Sequence, residues 1–171
     1  EDIVSEIDRR PLLASLAAAG VGAVALGGEA ARAVTLKKEA EVACLYHCDF
    51  GDPARFAQLL NNISNHYSVY GANPFDIQLV MVVHSVGVKF FFETLDGTPW
   101  AEEASKVAPL FERVAALAKN GLKVYLCEIT FERLKLDRDK LRKAEFLSFV
   151  PSGVATVAVL QSKGFAYLKV G

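Results

Sequence analysis

A chain of 171 residues with a formal net charge of −1 has room for one domain plus a tail or anchor. The near-neutral balance excludes the basic footprint of a nucleic-acid-binding protein, so no nucleic-acid partner is expected. Three cysteines cannot all pair internally, which leaves at least one thiol free or modified.

Arg9-Arg10 precede an apolar, uncharged run from Pro11 to Gly28, and Ala31-Arg32-Ala33 follows with small-x-small spacing. A twin arginine before a weakly hydrophobic Ala/Gly-rich run resembles a twin-arginine export signal. Asp8 departs from that pattern, as does Pro11 directly after the arginines. As a helix the run spans about 27 Å, just short of a bilayer core. Its glycines and alanines would let another helix pack closely against it. Residues 1–33 are therefore read as a signal or an uncleaved membrane anchor, placing the domain on the periplasmic side of a bacterial inner membrane. The alternative is an alanine-rich surface or core helix. Residues 34–41, with Lys37-Lys38-Glu39, form a charged linker.

The domain, residues 42–171, opens with Val42-Ala43-Cys44-Leu45-Tyr46-His47, a near-continuous apolar run typical of a strand buried on both faces. Asp52-Pro53 is an N-cap followed by proline at the first helical position. Phe56, Leu59, Leu60, Ile63 and Tyr67 then form one stripe of an amphipathic helix. Ile77 to Val83 is a second buried strand, and a short helix or packed loop follows from Gly87. Val107, Leu110, Phe111, Val114, Leu117 and Ala118 mark another helix, stopped by Asn120-Gly121. Leu122 to Leu126 is a third strand ending on Cys127. Short helical turns occupy Phe131 to Arg142, with the basic stretch Arg133 to Lys143 read as a solvated face. Glu145 to Val150 is a fourth strand and Phe165 to Val170 a fifth. Between them, propensity favours more strand, whereas Ser152 and Gly164 would bound a helix over 153–163. The alternation predicts an α/β fold: a single doubly wound, mostly parallel five-stranded sheet, preceded by an N-terminal apolar helix.

Strand carboxyl ends gather where such sheets bind ligands. His47-Cys48-Asp49, His84-Ser85, and Cys127 with Thr130 are expected along one edge. Cys127 is the candidate nucleophile, because the helix start after it and a nearby imidazolium would favour thiolate; Glu128 would oppose this. The competing reading is a buried structural cysteine. Cys44 and Cys48, about 13 Å apart along one strand, cannot bridge each other. Cys44 is read as inert core, whereas Cys48 could meet Cys127 as a disulfide or trisulfide if the strand order allows. His47, Cys48, His84 and Cys127 are also ligand types for zinc or copper, but adjacent residues on a strand face opposite ways and no paired-ligand spacing is present. Glycine-rich phosphate loops are absent, and no cofactor is expected.

From about Val42 to Val170 the chain resembles the DsrE/DsrF-like family of small sulfur-relay proteins. The ending V-P-S-G-V-A…L-Q…G-F-A-Y-L-K, Val150 to Lys169, carries most of the likeness. His47, Asn62-Ile63-Ser64-Asn65, His84 and Cys127 support it by their order. The resemblance implies a helix after Val150-Pro151-Ser152-Gly153, and persulfide handling at Cys127. His84, His47, Cys48 and Thr130 are supporting candidates by their expected place along the same sheet edge. The resemblance also implies a sulfur-carrier or sulfurtransferase role, a sulfur donor or acceptor protein or small sulfur compound as partner, and a trimer or hexamer. Ser85 departs from it where glycine is expected, and Cys44 and Cys48 have no place in its pattern. A rival reading is a non-catalytic accessory subunit of a membrane complex with structural thiols, motivated by the Gly/Ala-rich run and the cluster Phe90 to Phe92.

Overall fold

The computed structural model describes residues 36–171. The twin-arginine segment, the apolar run and the small-x-small site lie outside the described residues. No helix among the described residues is long and apolar enough to cross a membrane.

Five strands, β1 (Val42–Cys48), β2 (Ile77–Val83), β3 (Lys123–Cys127), β4 (Leu147–Val150) and β5 (Ala166–Leu168), form one sheet in the order β4-β3-β2-β1-β5. Every pairing is parallel. Four α-helices connect them: α1 (Pro53–Val69), α2 (Ala104–Ala118), α3 (Glu128–Leu134) and α4 (Gly153–Ser162). Asp52 caps α1 by accepting from the Arg55 N–H at 2.7 Å, and Pro53 costs nothing at a position whose N–H has no helical partner. Ser152 caps α4 by accepting from the Ala155 N–H, so helix replaces strand over a segment rich in valine.

Strand alternation sorts the core into two layers. One face carries Cys44, Tyr46, Cys48, Leu79, Met81, Val83, Val124 and Leu126 under α1, α2 and α3. Phe90, Phe91 and Phe92 lie in this layer, with Phe56 stacked on Phe90 at 3.9 Å between ring centroids. These phenylalanines are core, which removes one motive for a docking surface. The opposite face carries Ala43, Leu45, Val80, Val82, Tyr125 and Val150, packed with Leu160 of α4 and Phe165. α4 is apolar around its circumference, and Val154 remains 67% exposed.

The observed strands four and five are shorter than the apolar runs suggested: β5 pairs with β1 only over Cys44–Tyr46, and β4 with β3 over Val124–Cys127. The short element after β2 is a 3-10 helix over Ser85–Phe91. Ser85 enters it at a φ of +54°, in the left-handed region that favours glycine. That explains why glycine is the expected residue there.

β3 and β4 are adjacent, yet β3 leads into α3 on one face while β4 leads into α4 on the other. Their carboxyl ends are a topological switch point, where open sheets leave a crevice.

Candidate functional site

A cleft of about 350 Å³ opens at this point, lined by His84, Ser85, Cys127, Ile129, Thr130, Arg133, Leu134, Ser152 and Val154. Cys127 ends β3 facing the α4 side and is 5% exposed. His84 follows β2 on the same face. Gly153, the first residue of α4, fits between them: a Cβ there would lie 2.9 Å from His84 Cδ2, 3.0 Å from His84 Cβ and 3.2 Å from Cys127 Cβ. Only glycine lets the helix start come this close.

The cleft's His84 is tied to the rest of the sheet edge. Its Nε2 lies 2.7 Å from His47 Nε2, and His47 Nδ1 lies 3.0 Å from the Tyr167 hydroxyl. The register explains the chain. Leu45 pairs with Tyr167 and His47 with Val82, so all three side chains rise from the same face of neighbouring strands. Burial holds both imidazoles below their ordinary pKa. At His84 the neighbouring His47 ring further disfavours charge, while the Asp49 carboxylate partly opposes the shift in both.

Thr130 accepts a hydrogen bond from the Ser85 N–H at 3.0 Å through Oγ1, linking α3 to the strained turn after β2. It holds the wall of the cleft. Glu128 faces Arg138, whose Nη1 lies 3.4 Å from its carboxylate, and so is engaged beside Cys127 rather than free.

Cys48 shares the edge but not the site. It is fully buried on the opposite face, and burial pushes its thiol far above the ordinary range. The 3-10 turn closes over it, since a Cβ on Gly87 would fall 2.9 Å from Cys48 Sγ. β2 separates β1 from β3, so two strand spacings, about 9–10 Å, lie between Cys48 and Cys127. A disulfide needs under about 7 Å. The possible Cys48–Cys127 bridge is thereby excluded in this arrangement, and all three cysteines are free. Nor are the four candidate metal ligands brought together, because Cys48 lies on the other face from His47, His84 and Cys127; among the described residues no group of three or more His, Cys, Asp or Glu side chains is arranged to hold a metal ion. Cys44 is buried in the core, as expected.

Tyr167, Gly153 and Arg133 escaped the sequence reading. Arg133 sits within the basic stretch read as solvated, and one turn of α3 brings it to the cleft. Tyr167 could be found only through the β1–β5 pairing, which no local pattern encodes.

A doubly wound α/β domain with a cysteine in a switch-point cleft is the class this fold and site define. The chain belongs to the DsrE/DsrF-like family, which it matches over residues 55–170, and shares that family's general sulfur-relay character. No curated protein matches the chain. Among solved structures it is similar to the protein of unknown function MTH1491 from Methanobacterium thermoautotrophicum, with 22% identity and a TM-score of 0.54 over 75% of this chain and 99% of that one. The likeness is one of fold.

Proposed function

We propose that the protein binds sulfane sulfur as a persulfide on Cys127 and passes it to a partner thiol or small sulfur compound. One observation carries the reading: Cys127 borders the cleft, whereas Cys44 and Cys48 lie in the core of the other face. Loading is a displacement. The Cys127 thiolate attacks the outer sulfur of a persulfide or polysulfide, a new S–S bond forms, and the donor's S–S bond breaks with its electron pair leaving on the donor thiolate. The thiol proton passes to a base bordering the cleft, and His84, which lines it, is the candidate. Delivery is the reverse step on an acceptor thiolate, so no external oxidant or reductant is consumed.

The exposed apolar side of α4, Val154 and Val159, supports assembly as a homo-oligomer or as a subunit of a larger complex. Arg9-Arg10 and the apolar run support export, with residues 1–33 as signal or anchor; an intact mass of the native protein tests whether they stay attached. The sulfur reading is tested by polysulfide loading of the protein and of Cys127→Ser. Unchanged loading in the variant would sink it. The accessory-subunit reading gains if a membrane complex holding this chain keeps its activity after all three thiols are removed.

A further inference from the structure

We infer that Tyr167, His47 and His84 form a proton relay that connects the cleft to solvent, with Tyr167 as its outer positioning residue. The inference deepens the sulfur reading, because displacement at Cys127 must shed a proton on loading and recover one on release.

Two Nε2 atoms at 2.7 Å can share only one proton, since two N–H groups would face each other and two bare nitrogens would repel. That constraint fixes the two rings in opposite tautomers. In one arrangement the Tyr167 hydroxyl donates to His47 Nδ1, and His47 Nε2–H donates to His84 Nε2; His84 then carries its proton on Nδ1. In the other, His84 Nε2–H donates to His47 Nε2, and His47 Nδ1–H donates to the Tyr167 oxygen; His84 Nδ1 is then a bare acceptor. The 3.0 Å contact between His47 and Tyr167 suits both.

Passing between the arrangements moves one proton across the edge without charging either ring. A proton taken from the cleft by His84 Nδ1 is matched by transfer of the shared proton from His84 to His47, then from His47 to Tyr167, whose own hydroxyl proton leaves to water. The reverse sequence brings a proton in. Tyr167 is 41% exposed, so its hydroxyl is open to solvent at the far end. His84 lines the cleft at the near end. The charged or titratable groups around the pair are Asp49, Tyr167, Cys127 and Arg133, and burial of both rings favours this neutral, tautomeric route over an imidazolium one.

The test is nitrogen-15 NMR of the histidine rings in the wild-type chain and in Tyr167→Phe, with Tyr70→Phe as control, in the absence of any sulfur compound. His47 and His84 are expected in opposite tautomers. Tyr167→Phe removes a bond that both arrangements make, but a phenol donates to an imidazole nitrogen more strongly than it accepts from an imidazole N–H. The tautomer ratio at His84, which Tyr167 does not touch, should therefore shift towards the second arrangement by about 2- to 10-fold, up to the equilibrium effect of one bond. Tyr70→Phe should leave the ratio unchanged. Identical tautomers on the two rings, or a His84 ratio indifferent to Tyr167→Phe, would overturn the relay. Because the readout needs no sulfur, it stands or falls apart from the loading experiment. Within the sulfur reading, Tyr167→Phe should also change the pH profile of Cys127 alkylation.

Discussion

Replacing Gly153 by alanine tests the packing that joins the cleft to the relay. The added Cβ would meet His84 Cδ2 at 2.9 Å, His84 Cβ at 3.0 Å and Cys127 Cβ at 3.2 Å. Two of these atoms are attached directly to the backbone of strand ends and cannot swing away. Relief requires α4 or the His84 ring to move by about half an ångström, an overpacking cost of about 1–3 kcal/mol. Alanine's better helix propensity offsets at most about 1 kcal/mol. A net loss of about 1–2 kcal/mol corresponds to a fall in Tm of roughly 3–8 °C for a domain of this size. The displaced ring should also lose its close contact with His47, so tautomer exchange between the rings should stop. Thermal unfolding and ring nitrogen-15 spectra of Gly153→Ala measure both effects. A raised Tm with unchanged spectra would refute the account, since propensity alone would then govern the site.

Three further outcomes are expected elsewhere. Lys89 is 3% exposed and pairs with Glu103, so Glu103→Ala should cost about 2–4 kcal/mol by leaving a buried ammonium unpaired, while Lys89→Met should be nearly neutral; urea unfolding of both variants distinguishes a structural pair from a merely solvated one. Ser85→Gly should stabilise by up to about 1 kcal/mol, because glycine relieves a φ of +54° while keeping the N–H bonded to Thr130; a lower urea midpoint would contradict this. Burial lowers the pKa of His47, His66 and His84 in the fold, so between about pH 6.5 and their folded values the unfolded chain binds more protons. Stability should therefore be insensitive to these rings above about pH 6.5 and fall as the pH drops below it. Denaturation midpoints that stay level down to pH 5 in the wild type would refute that sign.

Much of the fold was readable in residue order. The stripe from Phe56 to Tyr67, the cap at Asp52-Pro53 and the apolar strands are local signals, and each local signal agreed with the fold. The segment after Ser152 was not readable from the residues, because valine-rich propensity and capping pointed different ways. There the family likeness decided correctly. At the site, sequence order placed His47, His84 and Cys127 along one edge, but the face of each side chain follows strand alternation. That alternation separates Cys48 from His47 although they are neighbours in the chain. Strand order is a non-local property, so neither the separation of Cys48 from Cys127 nor the approach of Tyr167 to His47 could be seen before the sheet was assembled.

Intact mass of the native protein before and after polysulfide exposure, with and without reductant, tests the central claim most directly. The account predicts a gain of one or more sulfur atoms that reductant removes, retained in Cys44→Ser and Cys48→Ser and lost in Cys127→Ser. Loading that persists in Cys127→Ser, or an unreacted Cys127 in the folded wild type, would contradict it.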